Sequence, residues 1–269
     1  MLKQRICTGA LLGLLMVAVL ALSGYPAVLK AVAVLLAVAA ARELCRAGGF
    51  LKNRAFVFCC VAMAALLALC ADGGLAGPVL LGTVIGGMYL MSRVGQAEAL
   101  PEWLTLTASA LCGYFFGLLG PLRQQEQGLY LLILAVAVPV LTDVGAYCFG
   151  KAFGKHRLAP TVSPNKTWEG SLGGTVCAVL LLSAGALAAQ YAGLLRVRPQ
   201  LLLYLPVASV LSQLGDLTFS ALKRIAGVKD FGTLLPGHGG ILDRFDSLLF
   251  AVPFTLFSHS CLGPLLGPY

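Results

Sequence analysis

The sequence predicts an all-α fold: a polytopic membrane protein of about nine transmembrane helices, whose carboxyl-terminal helices build a polar cavity facing the cytoplasm. Three observations predict it. Of 269 residues, 59% are hydrophobic and 11% charged, whereas a soluble domain carries about 25% charged residues, so most of this surface cannot face water. Mean hydropathy is +0.89, and a hydrocarbon core about 30 Å thick needs roughly 20 apolar residues per helix, which allows roughly eight to ten crossings. The apolar runs are continuous rather than alternating, which excludes an outer-membrane barrel. The same composition excludes a disordered chain and a soluble α/β enzyme.

The apolar stretches fall at about 6–22, 27–41, 55–71, 75–91, 103–121, 129–149, 170–195, 201–221 and 247–263. Lys3 and Arg5 precede the first as in a signal peptide, but no small-residue cleavage site follows and Tyr25–Pro26 leads into more apolar sequence. That stretch is therefore expected to stay as a helix. The second is short and contains Lys30, which can snorkel from a helix end. Residues 1–128, about five helices, read as scaffold, and residues 129–269 as the catalytic region. Of the nine cysteines, Cys59, Cys60, Cys70, Cys112, Cys148 and Cys177 lie inside apolar runs, and no Cys-x-x-Cys pair occurs. They read as small hydrophobes, without a zinc or redox site.

The formal charge of +8 matters through its distribution. With the amino terminus placed in the cytoplasm, the inner loops hold fifteen cations: Lys3, Arg5, Arg42, Arg46, Lys52, Arg54, Arg93, Lys151, Lys155, Arg157, Lys166, Lys223, Arg224, Lys229 and Arg244. The outer loops hold three, Arg123, Arg196 and Arg198. So strong a positive-inside bias supports the orientation and the count of nine. The loops 150–169 and 222–244 are long, rich in Gly, Pro and basic residues, and both cytoplasmic in this arrangement, so the chemistry is expected on that face.

Asp143 and Asp216 each interrupt an apolar stretch. A carboxylate at such depth costs at least a few kcal/mol unless it faces a polar cavity or a partner. Counting from Lys151 and Lys223, both lie roughly 10 Å below the cytoplasmic surface, on helices running in the same direction. The plain alternative is a protonated Asp bridging two helices. Pro139, four residues before Asp143, is expected to break the helix ladder.

Asp243 and Asp246, spaced i, i+3, project from one face of the last helix if it begins near Leu242. As acids at a helix amino terminus they could merely complement its dipole. With Asp216, Ser220 and Asp230 they form a set of hard oxygens suited to Mg²⁺ or Mn²⁺, and magnesium usually enters such sites with phosphates. His238 lies in a glycine-rich turn whose backbone amides could approach an anion. Lys166, Lys223, Arg224, Lys229 and Arg244 surround these acids. Taken singly, each could be a headgroup anchor, but acids that hold a metal beside cations that neutralise oxyanions are the equipment of phosphoryl or nucleotidyl transfer. No Walker A loop, GxGxxG or Ser/His/Asp order points elsewhere.

The run SALKRIAGVKDFGTLLPGHGGILDRFD, Ser220 to Asp246, closely resembles the motif of the phosphatidate cytidylyltransferase (CDP-diacylglycerol synthase) family. Its defining positions are filled by Ser220, Leu222, Lys223, Arg224, Lys229, Asp230, Gly232, Leu235, Pro236, His238, Gly239, Gly240, Asp243, Arg244 and Asp246. Upstream, Asp143 to Tyr147 in TDVGAYCFGKAFGKH and Ser163 to Gly170 in SPNKTWEG also resemble the family. The likeness covers about the last 130 residues. One departure stands out: where the family usually has Glu before the Ser of this motif, this chain has Phe219.

The resemblance implies that CTP and phosphatidate are joined to give CDP-diacylglycerol and pyrophosphate, with Mg²⁺ and an optional second cation. It implies metal ligation by Asp143, Asp216, Asp243 and Asp246, and catalytic roles for Asp216, Lys223, Arg224, Lys229, His238, Asp243, Arg244 and Asp246. Substrate contacts are expected from Ser163, Asn165, Lys166, Ser220, Lys223 and Arg244. The expected setting is the cell (inner) membrane, multi-pass, with the active site facing the cytoplasm. The partners are the two substrates and membrane lipid, with no nucleic acid, and the resemblance is compatible with a homodimer. Two rivals stand beside this reading. In a CTP-dependent lipid kinase, such as a polyprenol kinase, CTP would be attacked at the γ-phosphorus instead. A secondary transporter would use Asp143 and Asp216 as ion sites, but it leaves the two polar loops unexplained.

Overall fold

The computed structural model describes residues 2–73, 77, 81–85, 88, 96–235 and 239–268. These are mostly helical: α1 (Leu2–Leu22), α2 (Pro26–Ala47), α3 (Arg54–Cys70), α4 (Gln96–Gly117), α5 (Leu119–Gln124), α6 (Gly128–Phe153), α7 (Trp168–Tyr191), α8 (Gln200–Ile225) and α9 (Leu242–Cys261). The apolar stretch expected at 75–91 lies largely outside the described residues; of the other eight, seven fall on single helices to within a few residues, and that at 103–121 runs across α4 and α5. Four spans, Pro101–Gln124, Gly128–Phe153, Trp168–Tyr191 and Gln200–Ile225, are long and apolar enough to cross a membrane. At 1.5 Å per residue each runs roughly 36–39 Å, more than a hydrocarbon core of about 30 Å. The all-α expectation needs one addition. Short antiparallel pairs join β1 (Arg157–Ala159) to β2 (Ser163–Thr167), and β3 (Arg196–Val197) to β4 (Leu266–Gly267).

The chain forms two compact units, one of Met1–Pro121 with Ile225–Phe245, the other of Leu122–Arg224 with Asp246–Tyr269. In the first, α2, α3 and α4 pack mutually. Helices in lipid gain no hydrophobic drive from meeting each other, so close backbone approach through small residues must supply the attraction. Ala33, Ala37, Ala40 and Ala41 of α2 and Cys60 and Ala64 of α3 are accordingly buried. Gly113 of α4 lies so near α3 that a methyl there would come within 2.3 Å of the Ala64 carbonyl oxygen. Leu11, Leu14, Leu15 and Val17 of α1 stay exposed, as lipid-facing residues should. Pro26 sits at the start of α2, where its missing N–H costs nothing. The Asn53 side chain caps α3 by accepting from Phe56 N at 3.1 Å.

The second unit pairs α6 with α7 by the same device. A methyl on Gly174 would meet the Thr142 carbonyl oxygen at 2.5 Å, and one on Gly145 would meet Cys177 Cβ at 2.9 Å. Leu172, Val176, Leu180 and Leu181 on the other side of α7 are exposed. A polar thread ties three helices together: Thr142 and Ser209 share a hydrogen bond of 2.8 Å, Ser209 donates to Thr175 at 3.0 Å, and Gln213 donates to Thr175 at 3.1 Å. α6 continues unbroken through Pro139, contrary to the expected break: a proline removes one donor, but the turns on either side are held by packing against α7.

Candidate active site

In the second unit, the loop 150–169 is not loose. Glu169, in the first turn of α7, accepts from the amides of Lys155 (3.1 Å) and His156 (3.2 Å), and its other oxygen pairs with His156 Nδ1 at 2.6 Å. Thr167 Oγ1 caps the same helix by accepting from Gly170 N at 3.1 Å. The β1–β2 hairpin is thereby fastened to the start of α7, and its second strand carries Ser163, Asn165 and Lys166. From there Lys166 forms an ion pair with Asp216 of α8, each side chain about a quarter exposed. Ser220, one turn on from Asp216, donates to it at 3.4 Å. Arg224 Nε donates to the Val162 carbonyl oxygen at 3.3 Å, tying the end of α8 to the hairpin.

Asp143 is exposed rather than buried. With Tyr147, Asn165, Lys166, Ser171 and Gln213 it lines a pocket of about 210 Å³. Pockets for whole small molecules start at about 300 Å³, so this one is too small to enclose a complete nucleotide. Asp246 is buried at 7% exposure and accepts from Ser247 N at 2.7 Å. It feels the charges of Asp216, Lys223 and Asp143.

In the first unit, residues 231–235 and 239–241 lie beside the start of α9. Asp243 Oδ2 accepts from Phe231 N and Gly240 N, both at 2.9 Å. Glu43, in the last turns of α2, accepts from Ile241 N and Leu242 N, each at 2.8 Å. Arg46 Nη1 donates to Thr233 Oγ1 at 3.1 Å. Gly239 has φ +84°, the left-handed turn for which glycine is suited, and its carbonyl accepts from Leu235 N.

The structure thus brings Asp143, Lys166, Asp216, Ser220, Lys223 and Asp246 together in one unit, and uses Asp243 to hold the motif loop in the other. Lys229, Asp230 and Arg244 are exposed. His238, with Pro236 and Gly237, lies outside the described residues. Among the described residues no three His, Cys, Asp or Glu side chains gather as a metal-binding group. In chemical type the donors fit a hard cation: Asp143, Asp216 and Asp246 are carboxylates, and the first two act electrostatically on the third. Glu43 was missed by sequence reasoning. Its signal was that it is the only acid among the first 71 residues, directly after an apolar run.

Phe219, the departure from the family motif, is buried at 7% exposure on α8. Phe219→Glu should therefore cost about 2.5 kcal/mol or more and lower the melting temperature. An unchanged melting temperature with an altered divalent-ion dependence would show that the position belongs to the ion-binding face instead.

Residues 3–262 match the model described as the Cytidylyltransferase family. Among curated proteins, the phosphatidate cytidylyltransferase of Staphylococcus saprophyticus subsp. saprophyticus is 46% identical over 129 residues, covering 48% of each chain. Those of Staphylococcus epidermidis and Staphylococcus aureus are 48% and 47% identical over 130 residues, again covering 48% of each chain. The chain spans about half the length of the curated relatives it matches.

Proposed function

The chain belongs to the cytidylyltransferase family, and from that premise we propose that it joins CTP to phosphatidate, giving CDP-diacylglycerol and pyrophosphate. The observation that carries the proposal is Lys166, set in the wall of a small pocket with Asp143 and paired with Asp216. A cation held by a carboxylate at such a pocket can exchange that partner for a phosphate oxygen.

In the proposed reaction a phosphatidate oxygen attacks the α-phosphorus of CTP, and the bond from that phosphorus to the oxygen bridging the β-phosphate breaks. Pyrophosphate leaves with the electron pair. A phosphate monoester is already ionised at neutral pH, so no strong base is required. Lys166 and Lys223 offset the charge that gathers on the phosphate oxygens. Arg224, Lys229 and Arg244 add positive charge around them, and Ser163, Asn165 and Ser220 supply hydrogen bonds to the substrates. His238 is assigned to the site by the motif alone. Mg²⁺, when bound, supplies neutralisation of the CTP phosphate oxygens. Asp143, Asp216 and Asp246, with Asp243 from the motif, are the side chains proposed to hold it and any second cation.

CTP is cytosolic and the phosphate of phosphatidate sits at the leaflet surface, so we place the site at the cytoplasmic boundary of the cell membrane. Nine crossings put loops 150–169 and 222–244 on that side. Single cysteines introduced within 151–168 and 225–241 should be labelled from the cytoplasm, and those near 123–127 from the opposite side. Labelling of the first two loops from outside would overturn the orientation. A homodimer and the absence of a nucleic-acid partner complete the proposal. Pyrophosphate release by purified protein should require CTP and phosphatidate together. Release with CTP alone, or none with both, would contradict the assignment.

A further inference from the structure

Helix α9 begins at Leu242, and its first amides have no partner within the helix. A helix usually solves this locally, with Ser, Thr, Asp or Asn just before its first turn. Here that position is Ile241, which has no acceptor on its side chain. The acceptors come instead from Glu43, 198 and 199 residues earlier in the chain, one oxygen to Ile241 N and the other to Leu242 N. Glu43 is 7% exposed, and a buried carboxylate is expensive unless it is satisfied.

Two glycines of the motif loop carry the mark of this contact. A methyl on Gly232 would lie 2.3 Å from Glu43 Oε1, and one on Gly240 would lie 2.4 Å from Glu43 Oε2. Neither glycine has a positive φ, so their backbone conformation is open to other residues. The space taken by the Glu43 carboxylate is what demands glycine. One turn further along α2, Arg46 holds Thr233 of the same loop. From the loop's inner side Asp243 takes Phe231 N and Gly240 N.

We infer that Glu43 is a positioning residue: it clamps the glycine-walled loop and the first turn of α9, and so fixes the direction in which that turn presents Asp243. The inference rests on the proposed transfer reaction. It gives the amino-terminal helices, which lie outside the polar motifs at 143–170 and 220–246, a share in the chemistry. A small change in the direction of a helix bearing reacting groups is costly, because a misplacement of about 1 Å can lower a rate about 100-fold.

The test uses the full chain, purified in detergent or lipid, as the parent and as Glu43→Gln, Glu43→Ala, Gly240→Ala and the Glu43→Ala/Gly240→Ala double variant. Glu43→Gln keeps the volume but turns one acceptor into a donor facing a backbone N–H. It should lower kcat about tenfold or more while KM for CTP and phosphatidate changes less than about threefold. Gly240→Ala should lose activity similarly, and the double variant should be no worse than the poorer single, because removing the carboxylate removes the clash. Losses that multiply in the double variant would overturn the single-contact explanation. Glu43→Gln retaining more than half of the parental kcat would overturn the positioning role. Hydrogen exchange at the Ile241 and Leu242 amides gives a reading independent of activity: it should quicken about tenfold or more in Glu43→Gln, and unchanged exchange would overturn the clamp. A parent that makes no CDP-diacylglycerol while showing this change in exchange would refute the proposed reaction and leave the clamp standing.

Discussion

An Asp246→Asn variant should fold, keep or slightly raise its melting temperature, and turn over CTP at less than about a tenth of the parental rate. The two halves of this result have separate causes. Asp246 is almost fully buried, and the nearby charges of Asp216 and Asp143 oppose a further negative charge there, while Ser247 N and Lys223 favour it. Asn keeps the shape and an acceptor for Ser247 N while removing a charge that Asp216 and Asp143 oppose, so the folded state loses little. The proposed reaction loses a carboxylate from the set assigned to Mg²⁺. Retention of more than about a tenth of kcat, an effect under about 1.4 kcal/mol, would remove Asp246 from the site. Asp243 is expected to behave differently. Asp243→Ala strips acceptors from Phe231 N and Gly240 N, each worth about 1–3 kcal/mol if left buried and unpaired, so it should lose stability as well as activity.

Lys166→Met carries the second large effect. The side chain would keep most of its apolar stem, but the pocket would lose its cation and Asp216 its ion-pair partner. Removing one preorganised donor to developing charge typically costs about 100-fold or more, so kcat/KM should fall by about that factor. Asp216, without its lysine, should also become more sensitive to the concentration of divalent cation. A fall of less than about fivefold in kcat/KM would mean that Lys166 only braces α8 against the hairpin and touches no phosphate.

The helices were legible because their cause is local: continuous apolar runs, recorded residue by residue, place α1 to α3 and α6 to α9 to within a few residues. The polar loops were legible as sites for the converse reason, since Lys, Asp and Gly at a membrane boundary have no packing to explain them. Pairings across long separations were not legible. Nothing in SPNKT announces a strand, because the β1–β2 pair is short, contains a bulge and takes its stability from Glu169 and Thr167 at the start of α7. Asp143 was expected to be buried and instead lines a pocket, since the helix-to-helix hydrogen bond at that level is made by Thr142 and Ser209. Glu43 escaped because its partners are backbone amides, which carry no letter in a sequence, and because the glycines that make room for it read equally well as turn residues. Phe219 lies three residues from Asp216, only about 60° away round the helix axis and so at the flank of the acidic face; its burial, which a sequence does not spell out, is what marks it as an apolar position.

The central claim is that the α-phosphorus of CTP is the atom attacked, and isotopic label follows that atom directly. Purified protein with Mg²⁺ and phosphatidate is given CTP labelled at the α-phosphorus or, in a parallel reaction, at the γ-phosphorus. The account predicts α label in a lipid-extractable product with the mass of CDP-diacylglycerol, and γ label in pyrophosphate. Label from the γ position in the lipid, with the α label left in CDP, would contradict it.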